Sequence, residues 1–348
     1  MAPLIYSALI ISLGLGTTLT FASTHWFLAW MGIEINTLAI IPLMAQTHSP
    51  RAVEATTKYF FAQATASATL LFASTSNAFL MGSWDITQNL HPLSSLMITL
   101  ALAMKMGLAP LHNWMPEVMQ GLNLLTGLIL STWQKLAPFC LIYQIQPDSP
   151  NTFITLGIVS IVVGGWGGFN QVQLRKILAY SSIAHLGWMT LVLSFAPPLT
   201  LLAFLTYLLM TFSLFSSFML IHATHINTLS TSWAKIPALT ATIPLLLLSL
   251  GGLPPLTGFM PKWLILQEMT KQGLTMIATL AALSSLFSLY FYLRLSYAMS
   301  LTMSPNNPPG SLPWRLHSKH NTLFLALTTT TTIWLLPLTP AILTLFSP

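Results

Sequence analysis

Charge is nearly absent from this chain. Of its 348 residues, 12 are Lys or Arg and 6 are Asp or Glu, so only 5% carry charge. A soluble domain keeps about a quarter of its residues charged to dress its surface. A water-soluble fold is therefore excluded, and the chain belongs in a bilayer. Cysteine is as scarce. The single Cys140 excludes a disulfide framework, a self-contained iron–sulfur centre and a Cys-type zinc site. Nucleotide-binding signatures are missing too. There is no Walker motif and no nucleophile–His–Asp constellation. The run GGWGGF at 164–169 follows an apolar helix rather than a strand, with no acidic residue roughly twenty positions on. Gly164 and Gly168 read instead as a small-residue face for close helix packing. By itself the chain does no redox chemistry and hydrolyses no nucleotide, and it holds no cofactor or metal of its own. The formal charge of +6 is no nucleic-acid footprint, because the basic residues do not cluster on one segment with aromatics between them. The opening MAPLIYSALIISLGLG has no basic n-region, so it is expected to be a first spanning helix rather than a cleaved signal peptide.

What the chain has in quantity is apolar sequence, 54% hydrophobic with a mean hydropathy of +0.73. A helical crossing needs about 20 such residues. The apolar runs predict an all-α polytopic membrane protein with eleven crossings, at about 3–21, 26–45, 56–80, 93–118, 123–145, 151–170, 175–195, 198–222, 237–270, 274–300 and 321–346. The fourth and ninth are broken by Gly and Pro. On this count Arg51, Lys58, Arg175, Lys176, Lys235, Arg315 and Lys319 share the side of the N-terminus, while Lys271, Asp85 and Asp148 lie opposite. The positive-inside rule then places the N-terminus in the cytoplasm-equivalent compartment. The Pro- and Gly-dense polar loop 303–320 is expected on the basic side as a contact for a partner.

The stretch from Leu96 to Lys135 organises the rest. Lys105 lies near the far end of an apolar run. The helix breaks at Gly107 and Pro110, resumes through His112, Trp114 and Glu117, and turns at Gly121. The next apolar run carries Lys135. Inserting a lysine into hydrocarbon costs roughly 2.5–3.5 kcal/mol, and irregular backbone at membrane depth survives only where it lines protein or water. Two lysines beside a broken helix thus mark an ion path. The pattern has an echo: GLAPLHNWMP at 107–116 and GLPPLTGFMP at 252–261 share six of ten positions, and Lys262 directly follows the second copy. Paired Gly/Pro-interrupted segments in the two halves point to a transporter's central site.

Glu34, mid-helix in WMGIEINTLAI, reads either as a packing carboxyl held neutral by burial or as a carboxylate facing a lysine on a neighbouring helix. The second reading fits better, since Glu34 is the one obvious intramembrane anion against three cations. His112, in the break, and His185, inside the seventh crossing, are each either packing residues or proton relays. Glu54 and Lys58 form an ordinary i,i+4 surface pair. Glu117 either pairs with a loop cation or sits at the mouth of a proton entry path. His222 and His225 lack the further ligands a metal site needs.

With the broken helices and their lysines in view, the chain resembles the antiporter-like membrane subunits of respiratory complex I, which are similar to subunits of multi-component sodium/proton antiporters. The segments that carry the resemblance are WMGIEINTLAIIPL (30–43), EATTKYFFAQATAS (54–67), MKMGLAPLHNWMPEVMQG (104–121), STWQKLAPF (131–139), QLRKILAYSSIAHLGWM (173–189) and GGLPPLTGFMPKW (251–263). The resemblance implies two inverted five-helix repeats, 1–146 and 151–302, then the loop 303–320 and one further helix at 321–346, all in a single membrane domain. It implies the mitochondrial inner membrane, with the N-terminus and basic loops in the matrix. Other complex I membrane subunits, accessory subunits and lipids would be the partners, with no nucleic acid. NADH, FMN, iron–sulfur clusters and ubiquinone would belong to the parent complex. Glu34, Lys105, Lys135 and Lys262 match the family's glutamate and lysines, and His112 and His185 fall on its central polar axis.

These residues predict a proton path in which Glu34 paired with Lys105 keeps that lysine protonated. Withdrawing Glu34 releases the proton toward Lys135, then toward Lys262. Two alternatives stand beside it. A free-standing cation/proton antiporter would need more membrane carboxylates than one. A structural spacer with a vestigial channel leaves the buried lysines without a reason.

Overall fold

The computed structural model describes residues 3–88, 90–145, 150–234, 236–301 and 322–346. The polar loop 303–320, and with it Arg315 and Lys319, lies outside them, as do Asp148 and Lys235. The described residues are helical throughout, with no strand. Only two isolated bridges, His25 with Asp85 and Gln173 with His225, tie loops together. The chain divides into two compact units, Met1–Ser160 and Ile161–Pro348.

In the first unit the helices are α1 (Pro3–Ala22), α2 (Trp26–Met44), α3 (Pro50–Met81), α4 (Pro92–Met106), α5 (Trp114–Gly121), α6 (Leu124–Ser131) and α7 (Trp133–Ile145). α8 (Pro150–Gly167) runs across the division. The second unit continues with α9 (Leu174–Val192), α10 (Pro197–Ile221), α11 (Ile226–Ser230), α12 (Pro237–Gly251), α13 (Phe259–Lys271), α14 (Thr275–Ser300), α15 (Leu323–Trp334) and α16 (Thr339–Phe346).

Local chemistry sets these boundaries. Proline stands in the first turn of α3, α4, α10 and α12, where its missing N–H is no loss. Ser49 caps α3, its Oγ accepting from Ala52 N at 3.3 Å. Close packing is local as well. A Cβ on Gly164 would meet Ala184 N at 2.7 Å, and one on Gly168 would meet the Phe291 ring at 2.7 Å, so the GGWGGF run is the small-residue face its composition predicted.

Six spans are long and apolar enough to cross a membrane: Pro3–Ala22, Trp26–Thr47, Leu124–Ile145, Pro150–Gly167, Pro197–Ile221 and Thr275–Ser300. The pair Leu323–Trp334 and Leu336–Ile342, bent by 66°, makes a seventh. The expected count of eleven is thus not reached on length and apolarity. The other four expected crossings are helical, and composition explains why they fall short. α3 is diluted by Glu54, Lys58, Gln63, Asn77 and its Ser and Thr residues, and α9 by Arg175, Lys176 and His185. The pairs α4/α5 and α12/α13 are split by their Gly/Pro breaks into halves of at most 15 residues.

The two breaks are built alike. α4 ends at Gly107 (φ 79°) and α12 at Gly252 (φ 80°), both in the left-handed region. Gly107 N and Leu108 N both return to Ala103 O at 2.9 Å. Gly252 N and Leu253 N return to Leu248 O at 3.1 and 3.3 Å. The repeated sequence thus encodes a repeated Schellman-type stop. A side chain in this backbone region costs about 1–2 kcal/mol. Gly107→Ala and Gly252→Ala should each lower stability by about that much. Gly14→Ala, at a site with open space around it, should not. Melting curves of the detergent-solubilised protein will distinguish the three.

Candidate functional site

In the first unit the break positions a lysine. Lys105 occupies the last turn of α4, where the negative end of the helix dipole favours a cation. It is only 5% exposed, and its Nζ has no hydrogen-bond partner among the described residues. One of the carbonyls freed by the break, Met104 O, accepts from Trp114 Nε1 across the gap at 3.0 Å. Lys135, 2% exposed on α7, lines the same small cavity as Lys105. That cavity, about 10 Å³, is walled on its polar side by Asn36, Gln63, Gln134 and Tyr59, and such a volume is about that of a single water. Gln63 Nε2 donates to Lys105 O at 3.4 Å, and Gln134 Nε2 donates to Asn36 O at 3.1 Å. The amides therefore tie α3 to α4 and α7 to α2 at the level of the lysines. Both predicted lysines of this unit thus meet at one polar point.

Glu34 stands apart from that point. Its Oε2 lies 3.0 Å from the Thr37 hydroxyl, whose one proton is shared between that oxygen and Glu34 O at 2.9 Å. The ion pairs found among the described residues all involve Lys58 or Lys271, and none joins Glu34 to Lys105. The expected pairing is therefore not a contact. His112 is also separate. Its Nδ1 lies 3.2 Å from Pro110 O within its own turn, and it does not line the cavity. Glu117 is paired, with Lys58 of α3 rather than a loop cation. Lys58 Nζ lies 2.7 Å from both Glu117 Oε2 and Glu54 Oε1, which clamps the second half of the broken helix to the start of α3. The Lys58 ammonium holds the exposed Glu54 carboxyl below its ordinary range.

In the second unit the lysine follows the break instead of preceding it. Lys262 Nζ reaches back across the gap and donates to Gly251 O at 2.7 Å. It takes the bridging role that Trp114 plays in the first copy, from the repeat position that Glu117 holds there. His185, half-buried on α9, sits with its ring 5.6 Å from that of Tyr207. Sequence reasoning passed over the neutral polar groups, namely Asn36, Gln63 and Gln134 in the first unit and Tyr207 and Tyr292 in the second. Their one advance signal is an amide or hydroxyl recurring in otherwise apolar helices. Among the described residues no cluster of His, Cys, Asp and Glu has the make-up of a metal site.

Residues 23–288 match the family described as NADH:quinone oxidoreductase/Mrp antiporter, transmembrane region, and residues 289–343 match the NADH dehydrogenase subunit 2 C-terminus. The chain is 65% identical to NADH-ubiquinone oxidoreductase chain 2 of Tetraodon nigroviridis over the full length of both. Among solved structures it is similar to a chain of respiratory complex I from Thermus thermophilus, with TM-score 0.86 and 28% identity over 98% of this chain and 79% of that one. It shares its fold with a chain of the Mrp complex from Dietzia, with TM-score 0.82 over 97% of this chain and 75% of that one.

The clamp at Lys58 supplies a test of Glu117. A carboxylate already engaged with an exposed ammonium contributes little to a buried path. Glu117→Gln should leave turnover within about twofold of wild type. A much larger fall in membrane vesicles would make Glu117 part of the entry route instead.

Proposed function

The chain belongs to the NADH:quinone oxidoreductase/Mrp antiporter family, and from that premise we propose that it works as a core membrane subunit of respiratory complex I, an antiporter-like module that moves protons across the mitochondrial inner membrane. Electron transfer from NADH to ubiquinone, with its FMN and iron–sulfur clusters, takes place in other subunits and supplies the driving energy. The N-terminus and the basic loops face the matrix. The observation that carries the reading is the placement of Lys105 and Lys135 on one buried polar cavity.

Two lysines that line one small cavity offer a proton two neighbouring sites. A small change in outside charge decides which lysine holds it. Glu34 supplies that charge from a distance. With its carboxylate near, Lys105 is favoured, and as its influence weakens the proton passes to Lys135. The second unit takes the later stage through Lys262 and His185. Moving one proton against the membrane potential needs about 2.3 kcal/mol per 100 mV, which conformational change driven by quinone reduction must deliver. A free-standing antiporter is disfavoured, because Glu34 is the one obvious carboxylate within the apolar helices.

In the assembled complex, Lys135→Ala should reduce both proton pumping and coupled quinone reduction by about tenfold or more, the scale of losing a positioned acid–base group. Glu34→Gln should slow turnover with the assembled amount on a native gel unchanged. Wild-type pumping by the Lys135 variant would sink the relay. A Glu34 variant that only lowers the assembled amount would make that carboxyl structural.

A further inference from the structure

The second unit is out of balance in charge. Between residues 161 and 348, Glu268 is the only acidic residue. It stands near the end of α13, where Lys271 Nζ lies 3.5 Å from its Oε2. α14 starts just beyond, at Thr275, and Arg294 lies 19 positions further along it. At 1.5 Å per residue that is about 28 Å, close to the full depth of a hydrocarbon core. Arg294 therefore belongs to the other end of the unit, in the last two turns of α14. There Arg294 Nη1 donates to Phe169 O at 2.6 Å, just ahead of Arg175 and Lys176 in the first turn of α9. No Asp or Glu of the unit lies at this end.

A cavity opens at the same place. It measures about 570 Å³ and is lined by Trp166, Phe169, Asn170, Gln171, Tyr180 and Phe287, a volume ordinary for a site that takes a small molecule. Its apolar wall is a set of rings packed edge to face. The Phe169 ring lies 5.5 Å from that of Phe287 and 5.0 Å from that of Tyr290, and the Trp166 ring lies 6.4 Å from that of Phe287. Gly167 makes the room, because the Tyr180 ring stands where a Cβ would be. Trp166 and Tyr290 are 69% and 55% exposed, so the wall faces outward. The rim is cationic. Arg294 holds Phe169 by its carbonyl and follows Phe287 by two turns on one face of α14. Lys176 precedes Tyr180 by one turn on one face of α9. Aromatic rings below basic groups are the profile of a membrane–water interface.

We propose that this cavity holds one anionic phospholipid, with an acyl chain against the Trp166, Phe169 and Phe287 rings and the phosphate at Arg294 and Lys176. Charge complementarity selects this occupant. Basic pockets between membrane helices take anionic headgroups, and this one has cations at its rim with no acidic residue of its own unit to meet them. An apolar helix of a neighbouring subunit would cover the rings and leave the cations unanswered. A free anion would answer the cations and leave the rings bare. A phospholipid does both. A guanidinium has five N–H donors in a planar fork, so Arg294 can keep Phe169 O and still present an edge to phosphate oxygens. Lys176 reaches the same level by extending its stem along the wall. The site is independent of the proton-path reading, since none of its residues belongs to that path.

The test places the assembled membrane complex in phosphatidylcholine nanodiscs with a trace of phosphatidylglycerol that carries a diazirine on one acyl chain. Illumination should attach the probe to segments 166–171 and 287–294, and peptide mass spectrometry reads the yield. Excess unlabelled phosphatidylglycerol should lower that yield about fivefold or more relative to an equal excess of phosphatidylcholine. Arg294→Gln and Lys176→Gln should each lower it about fivefold, the scale of one basic contact with an anionic headgroup. Arg294→Lys should keep more of it than Arg294→Gln. If the variants do not assemble on a native gel, the competition in the wild-type complex decides alone. Equal displacement by the two lipids makes the cavity a groove that reads only acyl chains, and overturns the proposal. Labelling of other chains in the complex with none on these two segments means that a partner subunit covers the cavity, and overturns it as well.

Discussion

A helix that stops inside a membrane leaves carbonyl oxygens with nothing to accept from, and the arrangement of this protein follows from how it meets that constraint. Both stops use glycine in the left-handed region to fold two N–H groups back onto one carbonyl. A further carbonyl at each end is met by a side chain from beyond the break. In the first unit an indole reaches Met104 O, and in the second an ammonium reaches Gly251 O. The break is therefore a place where backbone acceptors and the negative end of a helix dipole gather. A lysine can stay buried there without a carboxylate in contact.

The two copies use that opportunity differently. Lys262 anchors one broken end and is held by the anchor. Lys105 anchors nothing. Trp114 has taken the carbonyl, and the ammonium is left without a hydrogen bond of its own. An ammonium locked to a carbonyl is a poor switch, because moving its proton breaks a good hydrogen bond. An ammonium held only by dipole and distant charge responds to small changes in either. Under the proposed function, the first unit would sense a displaced charge such as Glu34 and the second would hold a proton until the groups around it accept one.

Much of this was legible in the sequence, and the reason is energetic. A lysine or glutamate in an apolar run costs enough that its presence demands a role. Glu34, Lys105, Lys135 and Lys262 stood out for that reason alone. The break was legible because Gly and Pro recur at fixed spacing, 107–116 against 252–261. The partners were not legible. Lys58 and Glu117 lie 59 positions apart, and nothing local joins them. Asn36, Gln63 and Gln134 are neutral, inexpensive beside a lysine, and scattered over three helices, so only their meeting at one cavity singles them out. The contact expected between Glu34 and Lys105 failed for a related reason. Counting charges predicts that opposite signs attract, but the Glu34 carboxylate lies beside the Thr37 hydroxyl of its own helix and forms no ion pair with Lys105.

On the proposed reading there is also a physical reason for neutral polar groups to outnumber charges along the path. A line built from carboxylates and ammonium groups alone would trap the proton in its strongest ion pair, and each buried pair would carry a desolvation penalty. Amides and hydroxyls neither gain nor lose net charge when a proton passes through or beside them. They hold the lysines' surroundings polar, at little expense in burial, and leave the few real charges free to set direction. In the first unit, Gln63 and Gln134 spend donors on Lys105 O and Asn36 O, fixing helix spacing around the lysine pair. In the second, the Ser181 and Ser182 hydroxyls spend theirs on the backbone carbonyls of Leu178 and Ala179. On the proposed reading, a membrane chain with 5% charged residues carries charge by setting its buried lysines beside a break or a cavity and filling the space between with groups that need not ionise.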